Sequence, residues 1–220
     1  MIEVNAGKSA VNNFNPIAYW KQRYQSGGNS GAGSYGRLAR FKTDFVNGFT
    51  AGNNVLDLLD FGCGDGSIMQ QLTVPRYVGV DVSETALAHC RALVLNDASR
   101  QFYLRSELSP QRRAAMTLSM DVIYHLTEDA GFAEYMEGLF ELADRFVVIY
   151  SSNTDLAWTS LHVRHRCFTE HVRREFPDWR LAAHCPNPYP FRPDLPDETS
   201  FADFFVFARN GEGCAVSIPA

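Results

Sequence analysis

The chain has 220 residues, of which 20 are Lys or Arg and 25 are Asp or Glu, so its formal net charge is −5. This length favours one domain with additions, and the acidic balance argues against nucleic acid or an anionic membrane as the principal partner. No apolar run approaches the ~20 residues of a membrane-spanning helix, and residues 1–15 predict a frayed start without a signal peptide. Five scattered cysteines without a C-x-x-C pair fit a reducing compartment, so we expect a cytoplasmic protein.

The first predicted elements form an N-terminal cap and lid over residues 1–53. Pro16 suits a helix start, and a helix is predicted over 16–24. A second helix is predicted over 35–49, where apolar residues recur at spacings of three and four. The nine residues between them, 26–34, include four glycines. A glycine-rich loop between two packed helices indicates a structured lid.

From residue 54 to residue 220, short apolar runs alternate with helical segments, which is typical of right-handed βαβ units and a parallel sheet. Strands are predicted over 55–59, 77–80, 101–104, 114–119, 145–150, 179–184 and 201–208. Helices are predicted over 67–72, 84–95, 129–143 and 169–176. A proline-rich loop, not a helix, separates the last two strands and indicates an antiparallel edge. The predicted fold is α/β, a seven-stranded sheet with helices on both faces and one domain overall.

The most informative motif is the turn after the first strand, Asp60-Phe-Gly-Cys-Gly-Asp-Gly66. Its glycines let the backbone approach a ligand closely, and the predicted helix start beside them would offer free N–H groups. A dinucleotide fingerprint would need a third glycine where this chain has Ser67, which disfavours a nicotinamide oxidoreductase. Asp81, at the end of the second strand, is placed to accept the hydroxyls of a ribose. The acids near the turn suit a ligand bearing an ammonium and a sulfonium.

With Val78-Gly-Val-Asp81 and the segment Leu118-Ser-Met-Asp-Val-Ile-Tyr-His-Leu126, this motif resembles class I S-adenosylmethionine-dependent methyltransferases of the small-molecule type. The resemblance implies a Rossmann-like core, S-adenosylmethionine as methyl donor and S-adenosylhomocysteine as product. It implies a donor site made of Gly62, Cys63, Gly64, Asp81, Val82, Met120 and Asp121. The third strand departs from the family pattern, since Arg105-Ser106-Glu107 leaves the adenine contact unassigned.

The first helix also resembles a cap helix of several small-molecule methyltransferases. That resemblance implies that Trp20, Arg23 and Tyr24 join the donor site. An arginine such as Arg23 suits the methionine carboxylate because its planar fork binds a carboxylate through two hydrogen bonds. The alternative is that Trp20 and Tyr24 only anchor a packed helix.

The candidate catalytic residues, His125 and Asp121, follow the fourth strand, at the sheet edge where active sites of such sheets lie. His125 is a candidate general base, although many methyl transfers need only alignment. Acceptor contacts are predicted from Tyr35, Tyr124, Asn153, His162, Arg164 and Arg166, and the two arginines would favour an anionic acceptor. The alternative for residues 162–166 is a solvated turn. No carboxylate completes a ligand set there, so no metal is predicted.

The sequence thus predicts transfer of a methyl group to oxygen or nitrogen of a small-molecule acceptor. The segment Asn187-Pro-Tyr189 resembles a motif of amino-methylating DNA methyltransferases, but it stands between the last two strands instead of after the fourth. The loop 186–196 is instead predicted to wall the substrate pocket. Two alternatives stay open: an RNA or protein methyltransferase that docks through residues 162–174, and a non-catalytic S-adenosylmethionine-binding protein.

Overall fold

The structure, a computed structural model, describes residues 14–216, so most of the predicted frayed start lies outside it. Its helices are α1 (Pro16–Gln25), α2 (Gly36–Gly52), α3 (Glu84–Leu93), α4 (Asp129–Glu141) and α5 (Phe168–Glu175). Its strands are β1 (Asp57–Phe61), β2 (Arg76–Asp81), β3 (Arg100–Leu104), β4 (Ala114–Met120), β5 (Ala143–Ser151), β6 (Trp179–Cys185) and β7 (Asp203–Arg209). No helix in this part of the chain is long and apolar enough to cross a membrane.

The strands form one sheet in the order β3-β2-β1-β4-β5-β7-β6. The first five strands pair in parallel, whereas β7 runs antiparallel to both of its neighbours. The predicted fold, including the antiparallel edge, is therefore confirmed. The order reverses between β1 and β4, and ligands of open α/β sheets bind at the carboxyl ends of strands beside such a switch point.

Both faces of the sheet are covered, and β5 shows why its sequence is continuously apolar. Phe146 and Val148 face the layer that contains α2 and α3, while Val147 and Ile149 face the layer that contains α4 and α5. A strand buried on both faces has no solvent side and needs no polar alternation.

Helix α2 belongs to the core and not to a detachable cap. Phe45 of α2 stacks on Phe204 of β7 with ring centroids 4.0 Å apart, and Phe49 meets Phe146 of β5 edge-on at 5.1 Å. Of the predicted cap over residues 1–53, the described part that lies outside the core is therefore α1 and the loop that follows it.

The helix predicted over residues 67–72 is wrong, because only Met69–Gln71 form one 3-10 turn. The connection from β1 to β2 spends its first five residues on the glycine turn, which leaves nine, 67–75, for any helix and the return to the sheet. Helix α2 fastens this short connection: Asn47 donates to the carbonyl of Gln71 at 2.8 Å and accepts from the amide of Thr73 at 2.9 Å.

Candidate active site

A cleft opens where β1, β2 and β4 end, beside the switch point. Nine of the ten predicted donor-site residues line it: Trp20, Tyr24, Gly62, Cys63, Gly64, Asp81, Val82, Met120 and Asp121. We call this the donor cleft. Arg23 is not among its lining residues.

Two glycines of the turn after β1 keep the floor of the donor cleft free of side chains. Gly62 and Gly64 have φ angles of +85° and +58°, which L-residues with a side chain rarely adopt. A Cβ atom at Gly62 would collide with Val122, and one at Gly64 would collide with the hydroxyl of Ser30. The backbone is therefore open to a ligand on one side and closely covered on the other.

Asp81 ties the end of β2 to the glycine turn. Its Oδ2 accepts from the amide of Gly64 at 3.0 Å, and its Oδ1 accepts from the amide of Ser83 at 2.9 Å. Burial raises the pKa of Asp81, and these two hydrogen bonds oppose that rise. Each oxygen retains a second lone pair that can accept a ligand hydroxyl.

Asp60 is a second buried acid in the donor cleft, and sequence reasoning noted it without assigning it a role. Its Oδ2 accepts from the hydroxyl of Tyr77 at 2.7 Å, while its Oδ1 has no hydrogen-bond partner among residues 14–216. Burial raises the pKa of Asp60 to about 7. A buried acceptor without a partner is costly unless a ligand supplies one.

Asp121 lies at the end of β4 in a fixed position. It adopts φ +60°, its Oδ2 accepts from Nζ of Lys42 at 2.6 Å, and its Oδ1 accepts from the hydroxyl of Tyr124 at 2.9 Å. Sequence reasoning missed Lys42, whose side chain is only 1% exposed. The available signal was a lysine on the apolar stripe of α2, between Leu38 and Phe45.

Asp65, inside the glycine motif, holds the loop that follows α1. Its Oδ2 accepts from the amide of Ser30 at 2.9 Å and from the hydroxyl of Tyr35 at 3.0 Å. Burial opposes ionisation, but hydrogen bonds from Ser30 and Ser67 lower the pKa of Asp65. The hydroxyl of Ser30 also pairs with that of Tyr24 at 3.0 Å. The hydroxyl of Tyr35 thus helps to hold this loop through Asp65, and Tyr35 is not among the residues that line a cleft.

A second cleft adjoins the donor cleft. Its walls come from α1, the loop at 30–33, the turn after β4, the residue His162, and the loop between β6 and β7. The two clefts share four residues: Trp20, Ser30, Asp121 and His125. We call the second one the acceptor cleft because it meets the donor cleft where β4 ends.

His125 stands at the junction of the two clefts with a defined hydrogen-bonding state. Its Nδ1 lies 2.8 Å from the carbonyl oxygen of His162. A carbonyl only accepts, so Nδ1 carries the hydrogen and the neutral ring has its lone pair on Nε2. Burial lowers the pKa of His125 to about 4. Trp20 of α1 packs edge-on against the ring at 5.2 Å.

Two of the predicted acceptor contacts, Tyr124 and His162, line the acceptor cleft, whereas Arg164 and Arg166 lie elsewhere. Nη1 of Arg164 donates to the carbonyl of Thr127 at 2.7 Å, and Nη1 of Arg166 donates to the carbonyl of Leu126 at 2.7 Å. Both arginines pair with Asp129. Burial alone would raise the pKa of the Asp129 carboxyl, but the hydrogen bonds from the two arginines outweigh it and lower that pKa. The two guanidinium groups therefore brace the loop after β4, which removes the basis for an anionic acceptor.

Two further predicted contacts are also engaged in local structure. Nε of Arg23 donates to the carbonyl of Asn29 at 2.6 Å, on the acceptor side of α1. Asn153 accepts from the amide of Thr169 at 3.1 Å, at the start of α5. Within residues 14–216, no three His, Cys, Asp or Glu side chains gather as metal ligands would.

The sheet order, the glycine turn and the acids at the ends of β1 and β2 define a class I S-adenosylmethionine-dependent methyltransferase. Residues 35–195 match the family model of a methyltransferase domain, and the chain belongs to this methyltransferase family. Its methyl donor is S-adenosylmethionine.

Solved methyltransferase structures share the fold at low sequence identity. N-methyltransferase NodS from Bradyrhizobium japonicum WM9 aligns with a TM-score of 0.68 and 11% identity, over 90% of this chain and 100% of that one. Magnesium protoporphyrin IX methyltransferase from Synechocystis PCC 6803 aligns with a TM-score of 0.62 and 14% identity, over 89% of this chain and 100% of that one. A methyltransferase from Anabaena variabilis ATCC 29413 aligns with a TM-score of 0.60 and 17% identity, over 95% of this chain and 100% of that one. No curated protein matches the sequence.

Proposed function

We propose that this protein methylates a small-molecule acceptor bound in the acceptor cleft, with His125 receiving the proton that the acceptor loses. The observation that carries the proposal is the junction of the two clefts at Trp20, Asp121 and His125. A donor in one cleft and an acceptor in the other would meet beside these side chains. Alignment of two reactants in this way supplies a large part of the rate enhancement of a transfer reaction.

The residues of the donor cleft fit S-adenosylmethionine. Gly62 and Gly64 give the cleft a backbone floor without side chains, and Val122 and Ser30 cover the positions that their Cβ atoms would take. Asp81 would accept the ribose hydroxyls, and the unpaired Oδ1 of Asp60 would accept from the methionine ammonium. Val82, Met120 and Cys63 add apolar lining. When bound, S-adenosylmethionine supplies a methyl group on a positively charged sulfur.

The remaining parts of the proposed active site control geometry, proton transfer and water. The pair of Lys42 and Asp121 would fix the wall at the junction, because both oxygens of Asp121 are already held. Trp20 and Tyr24 of α1, with Ser30 of the following loop, would cover the donor and exclude water. Nε2 of His125 is the acceptor for the leaving proton, since Nδ1 is bound to the carbonyl of His162.

A small acceptor is favoured over a macromolecule by the state of the basic segment 162–174. Its arginines are paired with nearby acids: Arg164 and Arg166 with Asp129, Arg173 with Glu170, and Arg174 with Glu175. Paired arginines offer less charge to a phosphate backbone than free ones.

The test is to incubate the protein with a metabolite extract and a donor whose methyl group is deuterated, and to search by mass spectrometry for labelled products. We expect at least one labelled small molecule, lost in the variant Asp81→Ala. Labelled RNA or protein in parallel incubations, without a labelled small molecule, would contradict the proposal. Saturable donor binding without any labelled product would identify a non-catalytic binding protein.

A further inference from the structure

Seven aromatic side chains line the acceptor cleft: Tyr19, Trp20, Tyr124, His125, His162, Phe191 and Phe201. Phe201 meets Tyr124 edge-on at 5.0 Å, and Trp158 packs behind Phe191 and Phe201 at 5.2 and 5.4 Å. Flat, mutually supported aromatic walls favour a flat aromatic ligand, because ring pairs gain from offset and edge-on contacts beyond the area they bury.

The charged groups that line this cleft in residues 14–216 are Asp121 and Arg23. Both oxygens of Asp121 are held by Lys42 and Tyr124, and Nε of Arg23 donates to the carbonyl of Asn29. The hydroxyl of Thr199 donates to a carbonyl of its own loop at 2.6 Å. An ammonium would find no free carboxylate among these lining residues, so a cationic ligand fits poorly. The guanidinium of Arg23 has no acidic partner within residues 14–216, and its outer nitrogens can donate to an oxygen of the ligand.

His125 distinguishes between acceptor atoms. An alkylammonium must lose its proton before its nitrogen can attack, and a weakly basic imidazole removes that proton poorly. A hydroxyl proton behaves differently, because it becomes strongly acidic as the oxygen begins to share electrons with carbon. The lone pair on Nε2 of His125, with Nδ1 fixed by His162, is suited to receive a proton of this second kind.

The geometry points to a planar aromatic hydroxyl compound, a phenol, as the acceptor. This inference rests on the proposed small-molecule methyltransferase function and specifies its substrate class. The phenol oxygen forms a bond to the methyl carbon as the carbon–sulfur bond breaks, and the electron pair of that bond remains on sulfur. The phenol proton passes to Nε2 of His125 and then to solvent. The products are an aryl methyl ether, a neutral thioether and one released proton.

Binding of matched probes to the protein saturated with S-adenosylhomocysteine tests the shape and charge of the cleft. The probes are 2-naphthol, 2-naphthylmethylamine and the non-planar decahydro-2-naphthol, with affinity measured by calorimetry at pH 7.5. We expect 2-naphthol to bind at least tenfold more tightly than each of the other two. Equal or tighter binding of the amine or the saturated alcohol overturns the inference, as does absence of 2-naphthol binding.

Transfer from the deuterated donor then tests the chemistry, with labelled 2-methoxynaphthalene as the expected product. Phe191→Ala should weaken 2-naphthol binding at least fivefold and leave S-adenosylhomocysteine binding unchanged. Tyr103→Ala, which removes an aromatic ring on β3 outside both clefts, is the matched control and should change neither. If the protein labels an amine or carboxylate from the metabolite extract but no phenol, the phenol inference fails and the proposed function stands. If it labels nothing, the proposed function fails.

Discussion

The donor cleft and the acceptor cleft are built in different ways. The donor cleft rests on strand ends and tight turns, and its buried acids are held by backbone amides or buried side chains, as at Asp81 and Asp60. The acceptor cleft is assembled from α1, two loops and the turn after β4, and seven aromatic side chains line it. Under the proposed function, one half would recognise its ligand through fixed hydrogen-bond geometry and the other through shape. We therefore expect substitutions to have different signatures in the two halves.

The largest effect is expected at the junction of the two halves. His125→Gln should lower kcat by about 10²–10⁴, the usual contribution of a positioned acid or base, with little change in S-adenosylhomocysteine affinity. His89→Gln, on the exposed side of α3, is the matched control. If kcat falls by less than a few fold, His125 only packs against Trp20.

The pH profile sharpens the same test. Only the neutral ring of His125 accepts a proton, and burial lowers its pKa to about 4. At saturating donor, kcat should therefore stay level as the pH falls through 6.5 and decline only toward about 4. An acidic limb near 6.5 that His125→Gln removes would show that His125 titrates as an exposed histidine does.

The next effect belongs to the donor half alone. Asp81→Ala removes a charged acceptor and leaves the amides of Gly64 and Ser83 without partners. We expect donor affinity to weaken by about 2–3 kcal/mol, measured by calorimetry with S-adenosylhomocysteine. Asp44→Ala, on the exposed side of α2, should change nothing. Unchanged donor affinity in a folded Asp81→Ala protein would refute the role of Asp81, at the end of β2, in binding the donor.

A smaller effect concerns proton release in the donor half. The pKa of Asp60 is raised to about 7, so this carboxyl is largely protonated at pH 5.5. If its ionised form pairs with the methionine ammonium, donor affinity should rise with pH up to about 7, by at most tenfold per pH unit, and then level off. Calorimetry in buffers of different ionisation enthalpy should detect the proton that binding releases. Asp60→Asn should abolish both signals, and a wild-type affinity that is the same at pH 5.5 and 8 would exclude this pairing.

The smallest functional effect is expected outside both halves. Arg164→Ala and Arg166→Ala should leave the KM of the identified acceptor within about twofold, because both guanidinium groups bind Asp129 and backbone carbonyls. Arg166→Ala should lower the Tm more than Arg164→Ala, because its side chain is 13% exposed against 46%. A tenfold rise in KM for either variant would place the arginine in the acceptor site after all.

The same contrast explains what the sequence could predict. The donor cleft follows from contiguous motifs, since Asp81 ends a strand and the glycine turn and Asp121 each stand directly after one. The acceptor cleft joins positions as distant as Tyr19 and Phe201, and no local pattern reveals that they meet. The side chain of Arg166 illustrates the limit: its position in the chain indicated the cleft, but its direction depends on Asp129 and the carbonyl of Leu126. The helix after β1 was mispredicted because Asn47 of α2, which lies earlier in the chain, binds the backbone of Gln71 and Thr73, a contact that no local pattern reveals.

The stack of Phe45 on Phe204 has a consequence for how the protein is made. These rings are 159 positions apart in the chain (204 − 45). At translation speeds of about 5–20 residues per second, the apolar face of α2 is synthesised roughly 8–30 seconds before the strand that covers it. During that interval α2 is a nascent helix with an uncovered aromatic surface, which is the kind of segment that holding chaperones bind. Ribosome-associated chains should therefore acquire protease resistance in α2 only after β7 has left the exit tunnel.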